Sequence, residues 1–149
     1  MIPALVLVPA ALGALALAVP SDRWRPLFLP VTGLAHLGLS AWILGSGVET
    51  QAGWLHLDPP GRLVLGVISI LYFFCSVYAV GYLRWRPDRP NRIFCACFQA
   101  FLGAMTLIVV SHHLGLMWVA LEATTLLTAP LIYFNHTPRS IEATWKYLL

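Results

Sequence analysis

Glu122 is an acid in the middle of an apolar run, Leu116-Met117-Trp118-Val119-Ala120-Leu121-Glu122-Ala123-Thr124-Thr125. Placing an ionisable side chain at the centre of a membrane costs roughly 2.5–3.5 kcal/mol on insertion scales. Such a group pairs, stays neutral or faces water, and it marks an ion or proton path more often than not. The sharper reading is a proton-relay carboxylate; the blander one is a neutral acid hydrogen-bonded to a neighbouring helix. Lys146 is the candidate partner, in the apolar run that follows Pro138. At about 1.5 Å rise per residue, Glu122 and Lys146 lie roughly 20 Å and 12 Å from the same membrane face, about 8 Å apart in depth. A long lysine, or a bridging group, is needed to join them. The plainer expectation for Lys146 is that it snorkels to the surface. A carboxylate whose proton affinity follows a mobile cation can load and release a proton.

Other polar groups extend the possible path. Thr125 and Ala129 continue the Glu122 face at helical spacing, with Thr124 and Thr128 beside it. Pro130 frees the carbonyl of Leu126 from its backbone bond. The alternative is ordinary small-residue packing. His112 and His113 stand between two apolar runs, at a turn where imidazoles can exchange protons with water. Gln99, Gly103 and Thr106 share one face, as do Ser69, Tyr72 and Ser76; these read as helix-packing seams. A haem with two axial histidines is a rival use of the imidazoles. His36 is mid-span while the other histidines lie at helix ends or in loops, so no two meet at one depth. Cys75, Cys95 and Cys97 all fall in apolar stretches without a CxxC and read as small buried residues. No phosphate loop, nucleophile elbow or HExxH is present. No metal and no cofactor is expected.

The elements that must carry these residues are membrane spans. The chain has 149 residues, of which 59% are hydrophobic and only 10% charged. Its mean hydropathy is +0.78. Soluble domains carry roughly a quarter charged residues, and a span needs about 20 apolar ones. The expected fold is all-α, a polytopic transmembrane bundle forming a single domain over residues 1–149. Five spans are expected, over about Ile2–Val19, Leu27–Gly45, Gly61–Leu83, Ile93–Val110 and Leu114–Phe134. A signal peptide competes for the first, because Ala16-Leu17-Ala18 resembles a cleavage site, but a basic n-region is missing. Ser140 to Leu149 is too short to span and reads as the start of a sixth helix. The chain is therefore expected to be the N-terminal portion of a longer protein.

Arginines orient the bundle. The formal net charge is +3, and the excess is concentrated in short loops. Arg23 and Arg25 follow the first span, four arginines lie in Arg84–Arg92, and Arg139 follows the fifth span. Basic loops stay cytoplasmic. The N-terminus and the loops Gly47–Pro60 and Ser111–His113 then face the non-cytoplasmic side. The loop Gly47–Pro60 reads as polar, with Glu49, His56 and Asp58. No basic stripe interleaved with aromatics appears, which sets nucleic acid aside.

Leu116-Met117-Trp118-Val119-Ala120-Leu121-Glu122-Ala123-Thr124-Thr125-Leu126, followed by Ile141-Glu142-Ala143-Thr144-Trp145-Lys146-Tyr147-Leu148, resembles the antiporter-like subunits of respiratory complex I. The likeness is strongest to component F of hydrogenase-4 and formate hydrogenlyase subunits, and Mrp cation/proton antiporter subunits share the pattern. Tyr78-x-x-Gly81-Tyr82 fits as well. The specific resemblance spans Leu114 to Leu149; the remainder agrees in topology. It implies a protein of about fourteen helices with two inverted five-helix repeats. It also implies that Glu122 and Lys146 are the family's helix-five glutamate and helix-six lysine. The family's later lysines lie beyond Leu149. The subunit would hold no redox centre of its own. It would move protons as partner subunits of a hydrogenase or NADH dehydrogenase oxidise their donor. The expected setting is the cell's inner (cytoplasmic) membrane. A cation/proton antiporter subunit and a non-transporting truncated scaffold are the alternatives.

Overall fold

A computed structural model describes residues 2–46 and 51–149. Among these residues six α-helices follow one another: α1 (Ile2–Ala18), α2 (Phe28–Ser46), α3 (Pro59–Arg84), α4 (Arg92–Val110), α5 (Leu114–Tyr133) and α6 (Pro138–Leu148). A single 3₁₀ turn, Arg25–Leu27, leads into α2. Among the described residues four helices, Arg25–Ser46 with its leading turn, α3, α4 and α5, are long and apolar enough to cross a membrane. α1 is apolar and slightly shorter, at 17 residues. α6 has 11 residues, or about 16 Å of helix. The all-α membrane bundle expected from hydropathy is the fold observed, with span boundaries within a residue or two of expectation.

The termini of the helices have local causes. The Asp58 carboxylate accepts the Gly61 backbone N–H at 2.9 Å, and Pro59 and Pro60 open α3, where missing N–H groups cost nothing. Thr137 and Ser140 form a reciprocal capping box at the start of α6. The end of α1 is held by a side chain from outside it. Arg25, only 2% exposed, donates from Nε to the carbonyls of Ala16 (3.0 Å) and Val19 (3.1 Å). It also pairs with Asp22 and donates to Asn91 Oδ1 at 2.6 Å. The carbonyls that a helix end leaves without partners are thereby satisfied.

Packing follows small residues. α1 and α4 lie closest, with Gly13 and Gly103 at the crossing. A Cβ on Gly103 would stand 3.0 Å from the Val6 carbonyl oxygen, and one on Gly13 3.1 Å from that of Ala96. Helices in lipid approach through such positions, because lipid supplies no hydrophobic drive for larger ones to associate. Two apolar clusters result. Ile2, Leu5, Ile43, Leu57, Leu65 and Val110 form one, at the end where α1 begins. Ala16, Leu29, Ala79, Leu83, Cys95 and Phe134 form the other, at the opposite end.

The three arginine-bearing loops meet at that opposite end. Asn91 Nδ2 donates to the Asp22 carbonyl (2.8 Å), Arg86 to Asn135 Oδ1 (3.0 Å) and Arg89 to His136 Nδ1 (3.2 Å). The other end carries a feature that polarity alone does not disclose. Among the described residues the strands are Gln51–Ala52 and Leu55–His56, an antiparallel hairpin turned by Gly53 and Trp54. Gly53 takes a φ of 61°, which a glycine tolerates without strain. The loop expected to be merely polar thus carries a β-hairpin; Glu49 within it lies outside the described residues. The hairpin docks on the α4–α5 turn: His112 N donates to the Trp54 carbonyl at 2.9 Å, and the Trp54 and His113 rings stack at 4.6 Å.

Candidate functional site within the membrane bundle

Glu122 lies halfway along α5, on a face that the rest of the chain leaves open. Only Ala120 of α5 is buried. Glu122 itself is exposed and makes no hydrogen bond or ion pair with another described residue. Trp118, Val119, Leu121 and Leu126 share this exposure, so the carboxylate stands in an apolar helix surface. Thr125 is half-buried and lies 3.4 Å from the Leu121 carbonyl, to which it donates.

Lys146 does not meet Glu122. It donates to Glu142 Oε1 at 2.5 Å, one turn back on its own helix, with both side chains largely exposed. The link between α5 and α6 lies elsewhere: the hydroxyls of Thr128 and Tyr147 are 2.9 Å apart. α6 therefore folds back along α5, and Glu122 lies about 9 Å further up α5 than this contact. His112 and His113 sit on the hairpin end, His113 with its Nδ1 accepting the Leu116 N–H as the cap of α5. His112 meets the His56 ring edge-on at 4.9 Å. Of the cysteines, Cys95 is buried and Cys97 half-buried, whereas Cys75 is exposed on α3.

The most enclosed polar group is one that the helix-seam reading left in pieces. Thr32, His36 and Ser40 stand at four-residue spacing on one face of α2, each at most 1% exposed. They meet Ser69 from α3 and Gln99 and Thr106 from α4, all fully buried. His36 Nδ1 is 3.0 Å from the Ser69 hydroxyl, and Nε2 is 3.0 Å from that of Thr106. The Ser40 and Ser69 hydroxyls are 2.8 Å apart. Thr32 donates to Gln99 Oε1 at 2.9 Å. The seams Ser69–Tyr72–Ser76 and Gln99–Gly103–Thr106 thus do pack helices, and Ser69 and Thr106 do so around an imidazole. The signal in the sequence was the stripe Thr32, His36, Ser40 in an otherwise apolar span.

Four long apolar helices, a fifth nearly as long, and polar caps gathered at two ends define a multi-pass membrane helix bundle. Comparison with known proteins narrows that class. The chain is 40% identical over 107 residues to the hydrogenase-4 component F homolog of Methylacidiphilum infernorum, a stretch covering 62% of this chain and 22% of that protein. It is 46% identical over 60 residues to NADH-ubiquinone oxidoreductase chain 2 of Ornithorhynchus anatinus, covering 40% of this chain and 17% of the relative. The same subunit of Cyprinus carpio is 48% identical over 63 residues. Over 107 of its residues, then, the chain is similar to a hydrogenase-4 component F homolog, and over shorter stretches to NADH-ubiquinone oxidoreductase chain 2. The chain matches about a fifth of the length of these relatives. No family model matches, and no solved structure does.

Proposed function

We propose that this chain is the part of a proton-translocating membrane subunit that contributes the helix-five carboxylate, in a redox-driven complex of the hydrogenase-4/formate hydrogenlyase or NADH:quinone oxidoreductase type. The observation that carries the proposal is Glu122: an acid at mid-span, unpaired among the described residues, on an open helix face. Ionisable groups at this depth face protein or a water-filled cavity rather than lipid. The open face of α5 is therefore the side on which further helices of the complex would pack, and they would supply the cation that tunes Glu122. The relatives named for hydrogenase-4 and NADH-ubiquinone oxidoreductase support that setting.

In this mechanism Glu122 holds the proton and lysines set its affinity. Lys146 starts engaged with Glu142 on α6. A rotation of its side chain away from Glu142 brings positive charge nearer α5 and favours the ionised Glu122. Its return favours the protonated form. Redox events in partner subunits bias the two states. The protein would lie in the inner membrane with its arginine-rich end cytoplasmic and the N-terminal end of α1 on the other side.

The test is proton pumping by the parent complex in sealed vesicles, driven by its electron donor. Glu122→Gln is expected to remove most of the donor-driven pH change while the complex still assembles. Pumping at the wild-type rate with Gln at 122 would sink the proposal. A Na⁺-dependent pH change without electron donor would point to a cation/proton antiporter.

A further inference from the structure

We propose that His36 is a second, occluded proton-binding site, which takes up a proton by exchanging the hydrogen bonds of Ser69 and Thr106. This deepens the proton-transport reading and rests on it only for the purpose of the site.

The argument is a count of protons. Each hydroxyl has one to give. The Ser69 hydroxyl is 2.7 Å from the Leu65 carbonyl, its own helix's acceptor, as well as 3.0 Å from His36 Nδ1. The Thr106 hydroxyl is 2.8 Å from the Leu102 carbonyl and 3.0 Å from His36 Nε2. A neutral imidazole has one N–H donor and one bare nitrogen. The bare nitrogen needs a donor, so one of the two hydroxyls must turn from its carbonyl to the ring. If both hydroxyls keep their carbonyls, both ring nitrogens must donate, and the ring is an imidazolium.

The same atoms therefore satisfy three states with only hydroxyl rotation. In the first neutral state Nδ1–H donates to Ser69 and Thr106 donates to Nε2. The second neutral state is its mirror, with Nε2–H donating to Thr106 and Ser69 donating to Nδ1. In the charged state both N–H groups donate and both hydroxyls return to Leu65 and Leu102. In the uptake step from the first state, the bare Nε2 gains a proton that comes ultimately from water, forming one N–H bond. The Thr106 hydroxyl keeps its own proton and swings to the Leu102 carbonyl. Release reverses this, and release from Nδ1 instead leaves the second neutral state, so a proton can enter on one side of the ring and leave on the other.

The surroundings fit a holding site rather than an open channel. Ser40 extends the chain from Ser69 toward the hairpin end, where Ile43, Leu57 and Leu65 close it. Thr32 and Gln99 continue the column toward the arginine-rich end, where Ala16, Leu29 and Leu83 close it. Gln99 Nε2 and the Tyr72 hydroxyl are buried without a partner among the described residues. They leave unused polar capacity on that side of the column. The helices packed on α2 bring no charge beside it. α1 has no titratable side chain over Ile2–Ala18, α3 brings buried Tyr72 and α4 brings buried Cys95. The buried cation Arg25 is held at the bundle end by Asp22 and Asn91.

The test is ¹⁵N solid-state NMR of the histidine-labelled 149-residue chain in lipid vesicles, scanned from about pH 4 to pH 9. The chain has five histidines, so His36 is assigned by loss of its signals in His36→Gln. If that variant does not fold, it is assigned in a chain whose other four histidines are glutamine. A bare-nitrogen signal giving way to a second protonated one as pH falls, with a midpoint displaced in Thr106→Val, is the expected result. A single neutral tautomer across the whole range overturns the site and leaves His36 as a tie between helices. The readout needs no parent complex. Titration of His36 together with wild-type pumping in Glu122→Gln would retire the proposed function and keep this site. Lost pumping in Glu122→Gln with His36 fixed in one tautomer would do the reverse.

Discussion

Three residues illustrate how one side chain acts on a helix bundle in lipid. Glu122 has no partner among the described residues, and the function proposed for it needs groups from a larger assembly. His36 has partners on both ring nitrogens, more than a neutral ring can use at once without help from a hydroxyl. Arg25 is the structural counterpart, a buried cation spent on the end of α1. Replacing it with methionine keeps the stem and removes the donors. The Ala16 and Val19 carbonyls and Asn91 Oδ1 then lose them. Such groups cost about 1–3 kcal/mol when left unmade, so Arg25→Met is expected to lower stability by that order. Arg23, exposed two residues earlier, provides the control: Arg23→Met should stay within about 0.5 kcal/mol. Thermal unfolding of the purified chain in detergent measures both.

At the scale of elements, the crossing of α1 and α4 depends on the lack of a side chain. Even a methyl group on Gly103 meets the Val6 carbonyl at 3.0 Å, so Gly103→Leu must push the helices apart. Overpacking of this kind costs about 1–3 kcal/mol. Gly81 has nothing within 4 Å of a built Cβ, and Gly81→Ala is expected to be neutral or stabilising by up to about 1 kcal/mol. The same unfolding experiment separates the two, and equal effects would show that the crossing is not tight. The helices themselves were legible because span length, proline and the arginine turns act locally. What joins them was less so. Ser69 and Thr106 were visible in two seams, but their meeting on His36 depends on the rotation of three helices about their axes, which no single helix encodes. The engagement of Lys146 with Glu142 is carried by their four-residue spacing on one helix, which competes with any reach toward Glu122. The hairpin was hidden because two-residue strands carry too few side chains for an alternating pattern.

The whole molecule has two unlike ends. One gathers Arg25, Arg86 and Arg89 with Asn91, Asn135 and His136 into a hydrogen-bonded cap; the other gathers the start of α1, the hairpin and the α4–α5 turn. This shared sidedness turns three separate loop charges into one orientation signal, because a membrane that retains any of the basic loops retains them all. Trp54 and Trp85 report the two ends, at 65% and 87% exposed. With Cys75, Cys95 and Cys97 replaced by alanine, Trp54→Cys is expected to react with a membrane-impermeant thiol reagent in intact cells. Trp85→Cys should react only after the membrane is opened. The reverse pattern would place the arginine cap outside. Glu122 would keep its depth near mid-span, but the His112–His113 turn, where imidazoles can exchange protons with water, would then face the cytoplasm.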